Sequence, residues 1–202
     1  KPLLSSIDIV MQEYGERLMQ GKRGAIVAIE PSTGEILCLI SAPGYDPNLL
    51  VGGKERSRNF SKLFYDSLNL PLFNRALTAM YPPGSTFKLI DGLIALQDNV
   101  ITRNTGFPCH HGYPPMGGHP KCHDNGAGDL PSAIAMSCNS YFSYVFCKIV
   151  DQKNFPHFED GYNHWRDAVR SFGPNTKLGT DLPFDKPGNV PSVEYYNKVF
   201  GK

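Results

Sequence analysis

Two short strings in this chain place reactive groups at spacings that could do chemistry. In Pro82-Pro83-Gly84-Ser85-Thr86-Phe87-Lys88 a hydroxyl and an amine stand three residues apart, just after a chain-breaking Pro-Pro-Gly. A serine at a helix start lies among unsatisfied backbone N–H groups and at the positive end of the macrodipole, so an anion forming beside Ser85 is stabilised. The i+3 spacing sets Lys88 on the same helix face. It can take the hydroxyl proton if burial keeps it neutral. Alone, Ser-x-x-Lys arises by chance in many chains, as an N-cap serine and a surface lysine. Ser137-Cys138-Asn139 strengthens the reading, because it offers a second hydroxyl for proton relay and an amide to hold a carbonyl or the lysine.

The elements that must position these groups can be read from periodicity and turn chemistry. Ile7, Val10, Met11, Tyr14 and Leu18 recur at helical spacing after Ser5 and Asp8, predicting an amphipathic helix over 6–20. Apolar runs 25–29 and 36–40 flank Pro31-Ser32-Thr33-Gly34 and read as a β-hairpin. Neither run alternates cleanly, which predicts cover on both faces, and a lone hairpin leaves ladder groups that call for a partner. Residues 42–70 read as a surface excursion with one short helix. A helix over 72–80 is stopped at Tyr81-Pro82-Pro83-Gly84, and another begins at or beside Ser85 and runs to Gln97. Residues 104–129 lack periodicity. Asp129 caps a short helix with Pro131 in its first turn, 141–150 is apolar almost all round and so buried, and 158–172 is an amphipathic helix. Residues 173–202 read as loop.

Composition narrows the class. The 202 residues contain 20 glycines and 17 prolines, which excludes coiled coil, collagen and long helical repeats. Charged residues are 19% and the net charge is +1, so no nucleic-acid partner is indicated. The longest apolar stretches fall far short of the roughly 20 residues that span a bilayer. There is no readable signal peptide, and the chain is expected to be an excised piece of a longer protein.

Taken with further strings, the chain resembles the class B penicillin-binding proteins, the serine D,D-transpeptidases of peptidoglycan, in their elongation-type (penicillin-binding protein 2) branch. The resemblance rests on Ser6-Ile7-Asp8 with Gln12, Gly24-Ala25-Ile26-Val27-Ala28-Ile29, Pro31-Ser32-Thr33-Gly34-Glu35-Ile36 and Ser41-Ala42-Pro43-Gly44-Tyr45-Asp46-Pro47. It continues through Asn74-Arg75-Ala76, the Ser85 block, Ser137-Cys138-Asn139-Ser140-Tyr141-Phe142, Phe172-Gly173 and Gly179-Thr180-Asp181-Leu182-Pro183. It implies an α/β fold of the α+β type, the β-lactamase/transpeptidase-like arrangement of helices around an antiparallel sheet. It also implies Ser85 as acylated nucleophile, Lys88 as general base, and Ser137 and Asn139 as relay and substrate anchor. The substrate implied is the D-Ala-D-Ala stem peptide, with β-lactams trapped as acyl-enzymes. The cell-wall elongation machinery is implied as partner, and the periplasmic face as location, anchored to the inner membrane by a segment outside this chain.

The chain departs from the family in lacking the third motif, Lys-Thr-Gly or Lys-Ser-Gly. Lys186-Pro187-Gly188 and Lys177-Leu178-Gly179 are the nearest strings, and a central proline denies a strand its donor. Residues 1–202 are therefore expected to be one partial transpeptidase domain, truncated before the third-motif strand and inactive alone. A β-lactam or muropeptide sensor and a serine β-lactamase remain as alternatives. For the β-lactamase, Glu159 and Asn163 give the Glu-x-x-x-Asn spacing, but Asp160-Gly161-Tyr162 lacks the usual intervening pattern.

Of eleven cysteines and histidines, six (Cys109, His110, His111, His119, Cys122 and His123) fall within 109–123, and Cys138 sits inside the second motif. Thiolates with imidazole suit tetrahedral zinc, and by resemblance some elongation-type members carry a metal in this loop. The quartet expected is Cys109, Cys122, His123 and Cys138. A Cys109–Cys122 disulfide stays open beside it, since the family works outside the cytoplasmic membrane. No organic cofactor is implied. Cys38 and Cys147 read as inert core, and Trp165 as helix core.

Overall fold

Capping and turn residues set the boundaries of the elements in the computed structural model, which describes residues 4–123, 126–177, 179–182 and 184–201. Leu178 and Pro183, which belong to the strings Lys177-Leu178-Gly179 and Gly179-Thr180-Asp181-Leu182-Pro183, lie outside the described residues. In chain order the elements are α1 (Ile9–Leu18), β1 (Gly24–Ile29), β2 (Ile36–Ala42), α2 (Arg56–Phe64), α3 (Arg75–Thr78), α4 (Lys88–Gln97), α5 (Leu130–Ala135), α6 (Asn139–Val150), α7 (Phe158–Ser171) and α8 (Val193–Phe200). Contacts group them into two units, residues 1–79 with 180–186 and residues 80–179 with 187–202.

In the first unit β1 and β2 form the expected antiparallel hairpin, with Val27 opposite Leu39 and an irregularity between Ala28 and Ile29. α1 is shorter than its periodicity suggests because the Asp8 carboxylate accepts the Met11 N–H and starts the helix there. It packs on β2 through Gly15, where a Cβ would stand 2.2 Å from Ile40 Cδ1. The close approach is made by the one residue without a side chain, so the apolar stripe points elsewhere: Val10, Met11, Tyr14 and Leu18 are exposed.

Only one sheet face is well covered, contrary to the reading of two. Cys38, Ile40 and Ala42 are buried, while Val27 and Ile29 on the other face are exposed. The outer edge of β2 is closed by residues 6–12 of the same chain. Ser6 Oγ donates to Ile36 O at 2.8 Å, Asp8 N to Leu37 O at 2.9 Å, and the Gln12 amide takes both ladder groups of Leu39. Gln12 Nε2 donates to Leu39 O at 3.1 Å and Leu39 N donates to Gln12 Oε1 at 2.9 Å, a side chain standing in for a strand. No strand pairs with the outer edge of β1 among the described residues.

The helix expected over 72–80 shrinks to the single turn α3. Asn74 Oδ1 accepts from Ala76 N and Leu77 N, and Ala79 is already extended. Buried Arg75 donates to the carbonyls of Asn69 (2.8 Å) and Leu70 (3.3 Å), holding that turn.

The second unit is built around α6, whose Val145 and Ile149 are fully buried. Ile94 and Ala95 of α4, Leu130 and Ala133 of α5, and Val169 of α7 close over them. Asp129 and Ser132 form the capping box that starts α5, with Pro131 in its first turn as expected. The end of the chain is not all loop: Ser192 Oγ accepts the Tyr195 N–H and starts α8. Neither Lys186-Pro187-Gly188 nor the described part of Lys177-Leu178-Gly179 is a strand.

α7 crosses the C-terminal end of α6 at Gly161, where a Cβ would stand 1.9 Å from the Val150 carbonyl oxygen. Backbone cannot yield as a side chain can, so Gly161→Ala is expected to lower stability by about 3 kcal/mol in urea denaturation. Gly52→Ala, with open space around it, should fall within about 0.5 kcal/mol of the parent.

Candidate active site

Pro82, Pro83 and a left-handed Gly84 break the chain, and the 3-10 turn Gly84–Phe87 then runs straight into α4. Thr86 Oγ1 donates to Pro83 O at 2.7 Å and the Lys88 N–H bonds to the carbonyls of Ser85 and Thr86, which fixes the turn. Ser85 is left exposed, and Lys88 comes after it half-buried. The helix predicted to start beside Ser85 is thus present, with its first turn tightened.

Ser137 is placed by a helix end. Its N–H donates to Ile134 O at 3.1 Å and the Cys138 N–H to Ala133 O at 2.9 Å. These are the paired bonds of a Schellman cap on α5, in which the residue at the left-handed position is usually glycine. Here it is Ser137, with φ +52°. A non-glycine residue in that region is strained by about 1–2 kcal/mol, so the turn keeps a hydroxyl at the expense of stability. Cys138 then caps α6, its sulfur accepting the Tyr141 N–H at 3.4 Å, and Asn139 is the first residue of α6.

All four residues read from the sequence as catalytic candidates meet in one hydrogen-bonded chain. Lys88 Nζ donates to Ser137 O at 2.6 Å, to Ser137 Oγ at 2.9 Å and to Asn139 Oδ1 at 2.6 Å. Ser137 Oγ in turn donates to Ser85 Oγ at 2.9 Å. Lysine has three donors, and here each has an acceptor. The amine reaches the Ser85 hydroxyl through Ser137 rather than by the direct i+3 contact the spacing suggested. Burial holds Lys88 below the usual lysine range, while Cys138 and Cys122 nearby pull it back up. The group can therefore act as a base once deprotonated.

Two partners in this site were missed in the sequence. The Lys121 carbonyl accepts Asn139 Nδ2 at 2.7 Å, a main-chain contact that no residue type announces. The Phe142 ring lies 5.8 Å from Lys88 Nζ; its place one turn beyond Asn139 on a buried helix is the signal that could have found it.

Beside this chain three sulfurs converge. The Sγ atoms of Cys109, Cys122 and Cys138 all lie within 4.8 Å of one another, with 3.8 Å between those of Cys122 and Cys138. No disulfide joins Cys109 to Cys122. His123, the fourth ligand read from the sequence, is exposed and stands outside this group. Burial works against ionisation of Cys122, but the Ser140 N–H, 3.1 Å from its sulfur, and the neighbouring thiols more than offset it, and its pKa is lowered. Burial pushes Cys138 up, to about 11. A tetrahedral zinc with Zn–S bonds of about 2.3 Å sets sulfurs near 3.8 Å apart, so the three thiols fit such an ion.

The remaining candidates lie apart. Glu159 and Asn163 are exposed on the first turns of α7 and are absent from the hydrogen-bonded chain around Ser85. Cys38 is buried as expected, but Cys147 is half-buried with the Tyr113 hydroxyl 3.5 Å from its sulfur. Trp165 packs against the core of the second unit.

Comparison with known proteins gives one consistent answer. The description of the penicillin-binding protein transpeptidase domain matches residues 24–201. Peptidoglycan D,D-transpeptidase MrdA of Acinetobacter baumannii is 35% identical over 198 residues, covering 96% of this chain and 28% of that protein. Pseudomonas aeruginosa PBP2 superposes with TM-score 0.80 at 34% identity, over 98% of this chain and 43% of the other. Helicobacter pylori PBP2, in its complex with MreC, gives TM-score 0.79 at 32% identity, over 97% and 35%. Penicillin-binding protein A of M. tuberculosis, as an imipenem acyl-enzyme complex, gives 0.66 at 33%, over 85% and 40%. The chain spans roughly three tenths of the length of the curated relatives it matches.

The strained position of Ser137 separates stability from chemistry. Ser137→Gly relieves the left-handed backbone while Ser137→Ala does not, so the glycine variant is expected to be more stable than the alanine variant by about 1 kcal/mol in chemical denaturation. Both variants remove the hydroxyl that bridges Lys88 to Ser85.

Proposed function

The chain belongs to the penicillin-binding protein transpeptidase family, and from that premise we propose that it carries the nucleophile, base and relay of a peptidoglycan D,D-transpeptidase. The observation that carries the reading is the unbroken chain from Ser85 Oγ through Ser137 Oγ to Lys88 Nζ. With Lys88 neutral, the hydrogen bonds run the other way: Ser85 gives its proton to Ser137 Oγ as Ser137 gives its own to Lys88. Ser85 Oγ bonds to the carbonyl carbon of the penultimate D-alanine, and the N–H groups at the start of the 3-10 turn face the developing oxyanion. The carbonyl–nitrogen bond breaks and terminal D-alanine leaves with the relayed proton. An amine of a neighbouring stem peptide then takes the acyl group and Ser85 regains its hydrogen. Ser137 O and Asn139 Oδ1 keep the ammonium in place whenever Lys88 is charged.

β-Lactams would stop at the acyl-enzyme, as the imipenem complex of the M. tuberculosis relative does. The whole protein is placed in the elongation machinery, a reading supported by the MreC complex of H. pylori PBP2, and on the periplasmic face with an anchor outside these residues. No helix among the described residues is long and apolar enough to cross a membrane.

The same proposal includes zinc held by Cys109, Cys122 and Cys138, with the fourth position left to another donor. When bound it would supply a rigid link between the 109–122 loop and the start of α6, and the acyl transfer does not pass through it.

A fluorescent penicillin should label the full-length protein at Ser85, and Ser85→Ala should abolish it. The labelling rate should rise with pH through a midpoint below the ordinary lysine value of 10.5, because the basic form of Lys88 appears above its lowered pKa. Residues 1–202 alone lack a Lys-Thr-Gly or Lys-Ser-Gly string; by the family resemblance that strand supplies a second oxyanion N–H beside that of Ser85, so they should label at least about 100-fold more slowly, the usual effect of one missing donor. A full-length protein that stays unlabelled would overturn the reading.

For the metal, elemental analysis should return about one zinc per chain, and chelation should lower the melting temperature. A metal-free protein whose melting temperature is indifferent to chelator would exclude it.

A further inference from the structure

Trp165 is the only tryptophan in the chain, and its surroundings reach the catalytic turn. Three rings pack against it: Phe146 at 5.2 Å between centroids, Tyr162 at 5.3 Å, and Phe87 at 6.0 Å with an interplanar angle of 62°. Phe87 closes the 3-10 turn between Ser85 and Lys88. Apolar packing fills space without fixing which edge of an indole faces which neighbour. That orientation comes from one polar contact, in which Trp165 Nε1 donates to Asp91 Oδ1 at 2.8 Å. Asp91 lies on α4, one turn beyond Lys88, so the carboxylate and the turn it braces sit on one rigid element.

We propose that Asp91 is a positioning residue for Ser85, acting through Trp165 and Phe87 to hold the 3-10 turn at the register that aligns the Ser85 and Ser137 hydroxyls. The inference rests on the acyl-transfer reading above and assigns a role to a residue that makes no contact with the reacting atoms. Stability alone does not account for a carboxylate here. Burial pushes Asp91 up to about 6, the indole N–H pulls the other way, and an apolar side chain would avoid that strain. What a leucine could not do is fix the indole. A nucleophile displaced by even 1 Å can lose about 100-fold in rate, so a brace two residues from Ser85 bears on the chemistry.

The test uses acylation of Ser85 by a fluorescent penicillin in the full-length protein, resolved into the dissociation constant of the initial complex and the acylation rate. Asp91→Leu should lower the acylation rate about tenfold with the dissociation constant unchanged. Asp91→Asn keeps an oxygen for the indole N–H and should stay within about twofold of wild type. Trp165→Phe should match Asp91→Leu, and the double variant should be no slower than either, since both remove one brace. The indole N–H resonance of Trp165, assigned by its loss in Trp165→Phe, should hold in Asp91→Asn and move in Asp91→Leu. The proposal is overturned if Asp91→Leu acylates at the wild-type rate, or if its loss is matched by Asp91→Asn. A wild-type protein that is never acylated at Ser85 would instead remove the acyl-transfer reading on which the proposal stands.

Discussion

The second unit is organised by one amine. Lys88 Nζ has to find three acceptors in a half-buried site, and two of them come from a single residue, the carbonyl and hydroxyl oxygens of Ser137. Much of the local structure results from presenting both oxygens together. The α5 helix ends in a cap whose left-handed position holds serine in place of glycine, and α6 begins at once so that Asn139 supplies the third acceptor. The buried body of α6 then holds that first turn still against α4, where the lysine sits. The three sulfurs gather on the same turn, because Cys138 lies between Ser137 and Asn139 in sequence.

Most of this site was legible in the sequence because its parts are local. Pro-Pro-Gly followed by Ser-x-x-Lys specifies a broken chain and a helix start, and Asp129 with Pro131 specifies another. Which groups bond to which was less legible. The i+3 spacing of Ser85 and Lys88 suggested a direct proton transfer, but the shared acceptors on the α5–α6 turn draw the amine toward Ser137. His123 sits next to Cys122 in sequence and yet faces solvent, since neighbouring residues in an irregular loop carry no common face. Gly15 misled in the same way: periodicity assigned the packing face of α1 to its apolar stripe, whereas the closest approach is made where there is no side chain at all.

Element lengths failed where a polar side chain intervenes. Asp8 starts α1 later than the hydrophobic pattern does, Asn74 starts the helix expected over 72–80 only at Arg75 and it lasts one turn, and Ser192 begins a helix in a segment that looks like loop. Hydrophobic periodicity reports which residues want burial, while these caps decide where the backbone can begin to supply it.

The Gln12 amide on Leu39 gives the hairpin a direction of growth. One flank of the two-stranded sheet is saturated by the chain itself, through Ser6, Asp8 and Gln12, and the other carries no such stopper among the described residues. Any strand that joins this sheet, whether from the same polypeptide or another, can therefore be added only beside β1. β2 is thereby fixed as the terminal strand of whatever larger sheet the hairpin nucleates, and the segment from Ser6 to Gln12 makes its assembly unidirectional.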